Sequence, residues 1–363
     1  MESQTGTRPL ADRHSMDIAA LTAYLAQHLP AFAAPLRIEQ FKGGQSNPTY
    51  KLSTADQSFV MRTKPGPAAR LLPSAHAIER EFRVMQALGD SAVPVPRMLL
   101  LCEDESVIGR AFYVMEFIEG RVLWDQSLPD FDPVGRAAIY DDMNRVIAAL
   151  HCVDVHAAGL DGFGKAGNYF ERQIGRWSKQ YLASVTEPIA AMDELMQWLP
   201  AHIPASARDA AQVSIVHGDF RLDNLVFHPT EPRVIAVLDW ELSTIGHPLA
   251  DFSYHCMSWH IPASAFRGIG GLDLQALGIP DEAAYIRRYC DRTGRTRPGH
   301  DIEAVLADWT FYMAYNLFRM AGILQGIAKR VVDGTASSSQ AKEAAAGARP
   351  LAEMGWQVAR RGG

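Results

Sequence analysis

Two apolar runs in the second half of the chain each end in a cluster of polar residues, and this pairing constrains the fold more than any other feature. The first run leads into Val216-His217-Gly218-Asp219-Phe220-Arg221-Leu222-Asp223-Asn224, and the second ends in Leu238-Asp239-Trp240-Glu241. Asp239 follows Asn224 by 15 residues. A loop that begins where a buried strand ends can present carboxylates without burying them unpaired. We therefore expect two strand-to-loop junctions whose polar side chains meet.

The side chains at these junctions are of the types that phosphoryl transfer requires. Oxygen ligands hold Mg²⁺ on nucleotide phosphates, and a further carboxylate positions the attacking hydroxyl. Asp219, Asn224 and Asp239 fit these tasks. Taken singly, Asp219 is equally well explained as part of a turn, and Asp239 as a helix cap. Their joint occurrence at this spacing favours a catalytic site.

The pattern HGDxxxxN, followed by a strand that ends in Asp, resembles the signature of aminoglycoside phosphotransferases, choline kinases and their relatives. It is similar to the catalytic and metal-binding loops of protein kinases, although the HRD, DFG and APE sequences are missing, which disfavours a protein kinase. The resemblance implies that Asp219 is the catalytic base and that Asn224 and Asp239 bind Mg²⁺ beside ATP. His217 would support the loop, and Asp251 would cap the next helix or brace the loop.

The resemblance covers the chain from about Phe41 to Arg330 and implies an α+β, protein-kinase-like fold with two lobes. A chain of 363 residues is also too long for one ordinary hydrophobic core. We predict a small N-terminal lobe at 1–118, made of an antiparallel β-sheet and a helix. We predict a larger, mainly α C-terminal lobe at 119–363, which carries the catalytic loop, the metal-binding loop and the acceptor site.

Local patterns predict the elements of these lobes. Residues 1 to about 15 are polar and are expected to be frayed, after which Asp17 caps a helix that runs to about His28. Short runs with turn residues from Ile38 onward predict three strands, and a helix follows that ends at Gly89. Further strands are predicted at 93–101 and 111–117, further helices at 137–150, 169–181 and 193–199, and one or two apolar helices at 302–330.

A Gly-rich segment lies between two of the predicted strands. Small residues there would let backbone N–H groups approach triphosphate oxygens. The sequence matches neither GxGxxG nor the Walker pattern, so a Gly-Gly hairpin turn is the alternative. Its place in the kinase-like order favours nucleotide binding, and the predicted contacts are Gly43, Gly44, Gln45, Ser46 and Asn47.

The predicted third strand carries the cation that would contact the nucleotide phosphates. Arg62 stands where most of the family has lysine, and some relatives such as choline kinases resemble this chain in using arginine. Lys64 lies on the same strand face and is the alternative. Glu81 on the following helix is the matching carboxylate, unless the two form only a surface ion pair of about 0–1 kcal/mol. Glu116 and Ile118, at the lobe junction, complete the predicted nucleotide-binding set.

Three segments bear on the acceptor, because they resemble the kinase-like domain attached to some acyl-CoA dehydrogenases. They are GGQSNPTYKL, the run from Arg172 to Tyr181, and NLFRMAGILQG. The resemblance favours a hydroxyacyl-CoA. Arg172 and Arg176 share one helix face, where they either meet a CoA phosphate or form salt bridges to neighbouring helices. Arg319, inside an apolar helix, needs an acidic partner or a ligand phosphate.

Other acceptors and another class of protein remain as alternatives. Amino alcohols, sugars and aminoglycosides are alternative acceptors, although a polycationic aminoglycoside calls for clustered acids that are not evident in the C-terminal lobe. A kinase-like module could also bind nucleotide or acyl-CoA without transfer. The intact Asp219, Asn224 and Asp239 argue against such a module.

Charge and hydropathy exclude several further partners. A net charge of −6 and a pI near 6.1 argue against nucleic-acid binding, which relies on a basic surface. No stretch approaches the roughly 18 apolar residues that would span a bilayer, and the N-terminus lacks the apolar core of a signal peptide. We therefore expect a cytoplasmic protein that acts on a small hydroxylated molecule without nucleic-acid or membrane partners. Oligomeric state is left open.

Overall fold

The chain divides into two units, each assembled from segments that are far apart in sequence. The computed structural model describes residues 6–10, 16–30, 32–42, 47–65, 77–165, 167–209, 212–265, 267–294, 302–335 and 341–361. Unit 1 comprises Met1–Leu128, His156–Leu160 and Arg221–Ser243. Unit 2 comprises Pro129–Val155, Asp161–Phe220 and Thr244–Gly363. The lobes predicted from the sequence, 1–118 and 119–363, were contiguous, whereas these units are not.

Unit 1 is built on an antiparallel β-sheet. Its strands are β1 (Thr7–Pro9), β2 (Arg37–Phe41), β3 (Thr49–Ser53), β4 (Ser58–Thr63), β5 (Met98–Cys102) and β6 (Phe112–Glu116). Within the described residues these six strands lie in the order β1-β2-β3-β4-β6-β5. Strands β2 to β6 confirm the sequence prediction. Strand β1 was not predicted, because its three residues pair with β2 through the backbone and carry no apolar alternation.

Two helices accompany this sheet. Helix α1 (Ile18–His28) begins at Asp17, whose side chain accepts a hydrogen bond from the Ala20 N–H at 2.8 Å, as the sequence predicted. Leu21 and Leu25 of α1 lie in one hydrophobic core with residues of the sheet. The buried residues of helix α2 (Ile78–Leu88) recur at helical spacing, and they are apolar except for Glu81. A carboxylate is therefore held where the helix pattern would place an apolar side chain.

The hairpin of β8 (Leu225–Phe227) and β9 (Val234–Val237) explains why unit 1 is not contiguous. The backbones of Arg121 and Phe227 exchange two hydrogen bonds at 2.8 Å, and the Val237 N–H donates to the Pro94 carbonyl at 2.8 Å. Gly120 permits this approach, because a Cβ at that position would overlap the Phe227 carbonyl oxygen. These bonds attach the hairpin, and with it the loop that begins at Asp239, to the N-terminal segment of unit 1.

Unit 2 is mainly helical and carries the first polar junction as far as Phe220, whereas Arg221 to Asn224 belong to unit 1. Strands β7 (Ser214–Val216) and β10 (Thr244–Gly246) pair antiparallel. The helices are α3 (Pro133–His151), α4 (Tyr169–Ser184), α5 (Ala190–Ala201), α6 (Pro248–Cys256), α7 (Leu274–Leu277), α8 (Glu282–Thr293), α9 (Ile302–Val332), α10 (Ala341–Ala346) and α11 (Ala348–Arg361). The apolar region after residue 302 thus forms one long helix. Among the described residues, none of the helices is long and apolar enough to cross a bilayer.

His255 in α6 makes the stability of the fold depend on pH. The side chain is buried, its Nε2 lies 2.8 Å from the Tyr285 hydroxyl, and burial lowers its pKa to about 4, which nearby Asp251 only partly opposes. An unfolded histidine titrates near pH 6.5, so the unfolded state binds more protons than the folded state between about pH 6.5 and 4. Stability is therefore lost as pH falls through this window, by at most about 1.4 kcal/mol per pH unit from this group.

We expect His255→Phe to flatten this dependence. Free energies of unfolding from urea titrations at pH 6.5 and pH 4.5 should differ less in His255→Phe than in the wild type. His202→Gln, at an exposed histidine, should leave the difference unchanged. A pH dependence that is the same in His255→Phe and the wild type would contradict this account.

Candidate active site

The junction after β9 presents two carboxylates on either side of a buried tryptophan. Asp239 has φ 67° and ψ 57°, a left-handed conformation that aspartate tolerates better than most residues, and a 3-10 turn (Trp240–Leu242) follows it. The Trp240 side chain is buried, and its Nε1–H donates to the Val237 carbonyl at 2.9 Å. This anchor fixes the turn, so the partly exposed Asp239 and Glu241 are presented from a defined backbone.

Arg62 lies at the centre of these acids. Its Nε lies 3.1 Å from Oε2 of Glu81, and its Nη2 lies 2.9 Å from Oδ1 of Asp239 and 3.3 Å from Oε2 of Glu241. We call these four residues the Arg62 centre. Burial opposes the charged guanidinium, but the three carboxylates and Tyr113 together raise the pKa of Arg62, which therefore stays a cation. The predicted pairing of Arg62 with Glu81 is confirmed, and Glu241 was missed, although it follows Asp239 by two positions.

Glu81 is held in place from two further sides. Its side chain is 1% exposed, and it accepts hydrogen bonds from Asn47 Nδ2 at 2.8 Å and from the Tyr113 hydroxyl at 3.1 Å. Tyr113 faces Arg62 directly across the β4–β6 pair, which places both side chains on the face that meets Glu81. Burial raises the pKa of Glu81, and Arg62 and these hydrogen bonds oppose that rise. The pair is therefore buried, which excludes the surface ion pair considered from the sequence.

Lys64 forms a separate ion pair with Glu79. It lies just beyond the last residue of β4, and its Nζ is 3.2 Å from Oε2 of Glu79, with both side chains partly exposed. The two candidate cations thus occupy different surroundings, since Arg62 is 10% exposed and belongs to the Arg62 centre. Contact of either cation with a nucleotide phosphate stays a prediction.

The remaining predicted nucleotide contacts are placed as follows. Asn47 is buried against Glu81. Glu116 is exposed at the end of β6, and Ile118 lies half-buried just after it. Gly43, Gly44, Gln45 and Ser46 lie outside the described residues. The nucleotide-binding role of all of these residues stays a prediction.

The two predicted Mg²⁺ ligands of unit 1 lie on hydrogen-bonded backbone segments. Asn224 ends a 3-10 turn before β8, and its backbone carbonyl accepts from the Leu238 N–H at 2.8 Å, one residue before Asp239. No group of three or more His, Cys, Asp or Glu side chains in the described part of the chain could hold a metal ion by itself. An amide and a carboxylate still fit Mg²⁺, which usually completes its shell with water and substrate phosphates. The Arg62 centre also brings three carboxylates to one guanidinium, and a cation would offset that excess.

The catalytic-loop candidate in unit 2 is braced by Asp251. The buried Asp251 carboxylate accepts from the backbone N–H groups of His217 at 2.7 Å and Gly218 at 2.8 Å, and it lies 3.2 Å from His151 Nε2. Burial alone would raise the pKa of Asp251, but His151 and His217 hold it below its usual value. His217 is buried, and its Nδ1 lies 3.2 Å from the Asp219 N–H. The loop bracing expected of Asp251 is present.

Asp219 itself is contacted by a tyrosine that the sequence did not single out. The Tyr254 hydroxyl donates to Asp219 Oδ1 at 2.6 Å, and Arg319 Nη2 donates to the Gly218 carbonyl at 2.6 Å. The Arg319 guanidinium lies 4.9 Å from the Tyr254 ring centroid and 5.6 Å from that of Trp177. Arg319 thus contacts a backbone carbonyl and two aromatic rings, and the charge of Asp219 also acts on it and raises its pKa.

Comparison with known proteins gives a consistent family. The model of the phosphotransferase enzyme family matches residues 37–299, more than half of the chain. Acyl-CoA dehydrogenase family member 10 of Mus musculus is 47% identical over 360 residues, which cover 98% of this chain and 32% of that protein. The chain therefore spans about a third of the length of this curated relative.

Solved structures agree with the family match. A crystal structure from Ralstonia eutropha JMP134, named for the aminoglycoside phosphotransferases, is 62% identical with a TM-score of 0.86, and the match covers 96% of this chain and 99% of that one. Aminoglycoside 2'-phosphotransferase-IIIa in complex with GDP is 14% identical with a TM-score of 0.61, covering 94% of this chain and 99% of that one, and shows the fold alone. The predicted α+β, protein-kinase-like fold class is confirmed.

Proposed function

The chain belongs to the phosphotransferase enzyme family, and we propose that it transfers the γ-phosphoryl group of ATP, with Mg²⁺, to a hydroxyl of a small molecule. The observation that carries this proposal is the contact of Arg62 with Asp239 at 2.9 Å. The predicted phosphate-binding cation and a predicted metal ligand come from distant parts of the sequence and meet in one ion-pair network. The guanidinium of Arg62 supplies the positive charge that binds phosphate oxygens, and the carboxylate of Asp239 supplies the negative charge that binds Mg²⁺.

In unit 1, the Arg62 centre would hold the nucleotide phosphates. A guanidinium has five N–H donors in a fixed fork, so Arg62 can keep Glu81 through Nε while it donates to a phosphate from its other nitrogens. Asn47 and Tyr113 keep Glu81 in place during that exchange. Mg²⁺ would be held by Asn224 and Asp239 and would neutralise charge on the phosphates.

In unit 2, Asp219 would act as the base. The acceptor hydroxyl passes its proton to the Asp219 carboxylate as its oxygen forms a bond to the γ-phosphorus. The bond from the γ-phosphorus to the bridging oxygen breaks, and its electron pair leaves with ADP. The backbone N–H groups bound by Asp251 hold the loop that presents Asp219.

For the acceptor, we propose a hydroxyacyl-CoA. The name of the curated relative, an acyl-CoA dehydrogenase family member, supports a CoA thioester. A concentration of positive charge supports it as well. Burial raises the pKa of both Tyr169 and Tyr315. At Tyr169 the positive charges of Arg319 and Arg172 oppose this rise. At Tyr315 the positive charges of Arg319 and Arg176 oppose it. Three guanidinium groups thus act on this pair of rings, against the one carboxylate of Asp251 at Tyr169, and CoA phosphates would supply further negative charge.

This proposal predicts a selective effect of Arg176→Ala. The KM for a hydroxyacyl-CoA should rise about tenfold, the equivalent of roughly 1.4 kcal/mol, with kcat unchanged, since the lost contact is remote from the reacting hydroxyl. The same hydroxyacyl group on a short thiol that lacks the CoA phosphates should show no change. Arg330→Ala, at an exposed arginine near the end of α9, is the matched control and should behave as the wild type.

The measurement is transfer of labelled γ-phosphate from Mg-ATP to hydroxyacyl-CoAs, amino alcohols, sugars and aminoglycosides. Transfer to amino alcohols, sugars or aminoglycosides but to no CoA ester would overturn the CoA proposal and leave phosphotransfer standing. Nucleotide binding without transfer to any acceptor would overturn phosphotransfer as well, in favour of a binding module.

A further inference from the structure

Helix α6 contacts the loop His217 to Asp219 with two side chains from one face. Asp251 and Tyr254 are three positions apart, so they lie beside each other on the helix surface. Asp251 accepts the N–H groups of His217 and Gly218, and Tyr254 donates to the Asp219 carboxylate. One helix face therefore binds both the backbone of the loop and its functional side chain.

Helix α9 contacts the same loop from another element. Arg319 is 8% exposed and donates to the Gly218 carbonyl, so both backbone polar groups of Gly218 are bound. Burial disfavours the charge of Arg319, but neighbouring tyrosines and Asp219 raise its pKa, which keeps it cationic. With the backbone of Gly218 held on both sides, the side-chain torsions of Asp219 set where its two carboxylate oxygens lie.

The hydrogen bond from Tyr254 restricts that rotation. Its length of 2.6 Å lies in the range of a hydroxyl that donates to an ionised carboxylate. Tyr254 is 4% exposed, and its ring lies against the Arg319 guanidinium, so the hydroxyl has little room to move. A donor fixed at Oδ1 sets the plane of the carboxylate and hence the direction of Oδ2. Proton transfer to a carboxylate requires its oxygen within about 2.6–3.2 Å of the donor hydroxyl.

We propose that Tyr254 is a positioning residue for phosphoryl transfer, which holds Oδ1 of Asp219 so that Oδ2 receives the proton of the acceptor hydroxyl. Arg319 fixes Tyr254 through its ring and fixes the loop through the Gly218 carbonyl. This inference rests on the proposed function, because it requires Asp219 to accept a proton.

Tyr254→Phe tests the inference with the smallest change, since it keeps the ring and its contact with Arg319 and removes only the donor. We expect kcat for transfer to fall about 10- to 100-fold, the scale of a misplaced catalytic group, with KM for ATP and for the acceptor within about twofold. Tyr181→Phe is the matched control in the same unit, because the Tyr181 hydroxyl accepts from the Ile189 N–H at 3.1 Å. It should keep the wild-type kcat.

Combination with Asp219→Asn separates positioning from packing. If Tyr254 acts through Asp219, Tyr254→Phe should change the residual rate of Asp219→Asn by less than about twofold. A merely structural hydroxyl would lower the rate by the same factor in both backgrounds, and that result would overturn the inference. Arg319→Lys is a second variant that keeps the charge but loses the planar contact with the ring. It should lower kcat about tenfold with the KM for ATP unchanged.

The outcomes for the two proposals differ. A wild-type protein that binds nucleotide but transfers phosphate to no acceptor would overturn the proposed function and this inference with it. A wild-type protein that transfers phosphate, with an unchanged kcat in Tyr254→Phe and Arg319→Lys, would overturn this inference alone.

Discussion

Asp219→Asn should lower the rate of phosphoryl transfer about a thousandfold, within the range that a general base contributes. The asparagine amide has nearly the same shape, and its oxygen can still accept the hydrogen bond from Tyr254, but it cannot take a proton from the acceptor. Asp219 is not a member of the Arg62 centre, so ATP affinity should stay within about twofold. The measurement pairs calorimetric ATP binding with initial rates of labelled γ-phosphate transfer at saturating substrates.

The control for this substitution is Asp281→Asn. Asp281 caps α8 by accepting from the Ala284 N–H at 2.8 Å, and asparagine caps helices about equally well. This variant makes the same chemical change in the same unit and should retain wild-type activity. Equal transfer rates in Asp219→Asn and the wild type would remove Asp219 from the base role.

Arg62→Ala should have the largest effect on stability. It leaves the Glu81 carboxylate, 1% exposed, without its ion-pair partner, and breaking a buried pair from one side typically costs about 3–5 kcal/mol. We expect the free energy of unfolding of the chain to fall by about that amount, measured by urea titration at neutral pH. Nucleotide binding should be lost as well, because the predicted phosphate contact is removed.

Two further variants test whether the loss of stability in Arg62→Ala comes from the unpaired Glu81 carboxylate. Lys64→Ala removes a partly exposed ion pair with Glu79 and should cost about 0–1 kcal/mol. Arg62→Met combined with Glu81→Gln leaves no buried charge in the pair and should recover much of the stability lost in Arg62→Ala. If Lys64→Ala abolished ATP binding while an Arg62→Lys variant retained it in full, Lys64 rather than Arg62 would be the phosphate-contacting cation.

The sequence predicted the parts of the site that depend on local pattern. The β4 residue Arg62 and the α2 residue Glu81 were paired correctly, because the chain resembles a family in which a cation on the third strand meets a carboxylate on the following helix. Bracing by Asp251 was one of the two roles that the family resemblance implied, and the other role, capping of α6, is filled by His247. These inferences needed the family resemblance together with the order of elements along the chain.

The parts that the sequence could not predict depend on tertiary contact. Tyr254 has no motif of its own, and its role follows only from the place where α6 packs. Arg319 was recognised as a buried cation, but helical periodicity cannot say that a backbone carbonyl would be its partner. The β8–β9 hairpin joins unit 1 through backbone hydrogen bonds with Arg121 and Pro94. Backbone bonds do not depend on side-chain type, so the sequence pattern could not predict them.

The most direct test of the proposed function compares the labelled phosphate lost from ATP with the labelled phosphate gained by the acceptor. Wild-type protein is mixed with γ-labelled ATP, Mg²⁺ and a hydroxyacyl-CoA, and the label is followed in ATP, in inorganic phosphate and in the acceptor. We expect one phosphorylated acceptor for each ADP formed, with the reaction abolished by a chelator and nearly abolished by Asp219→Asn. Label that remains on ATP, or leaves only as inorganic phosphate with every acceptor class, would contradict the assignment as a small-molecule phosphotransferase.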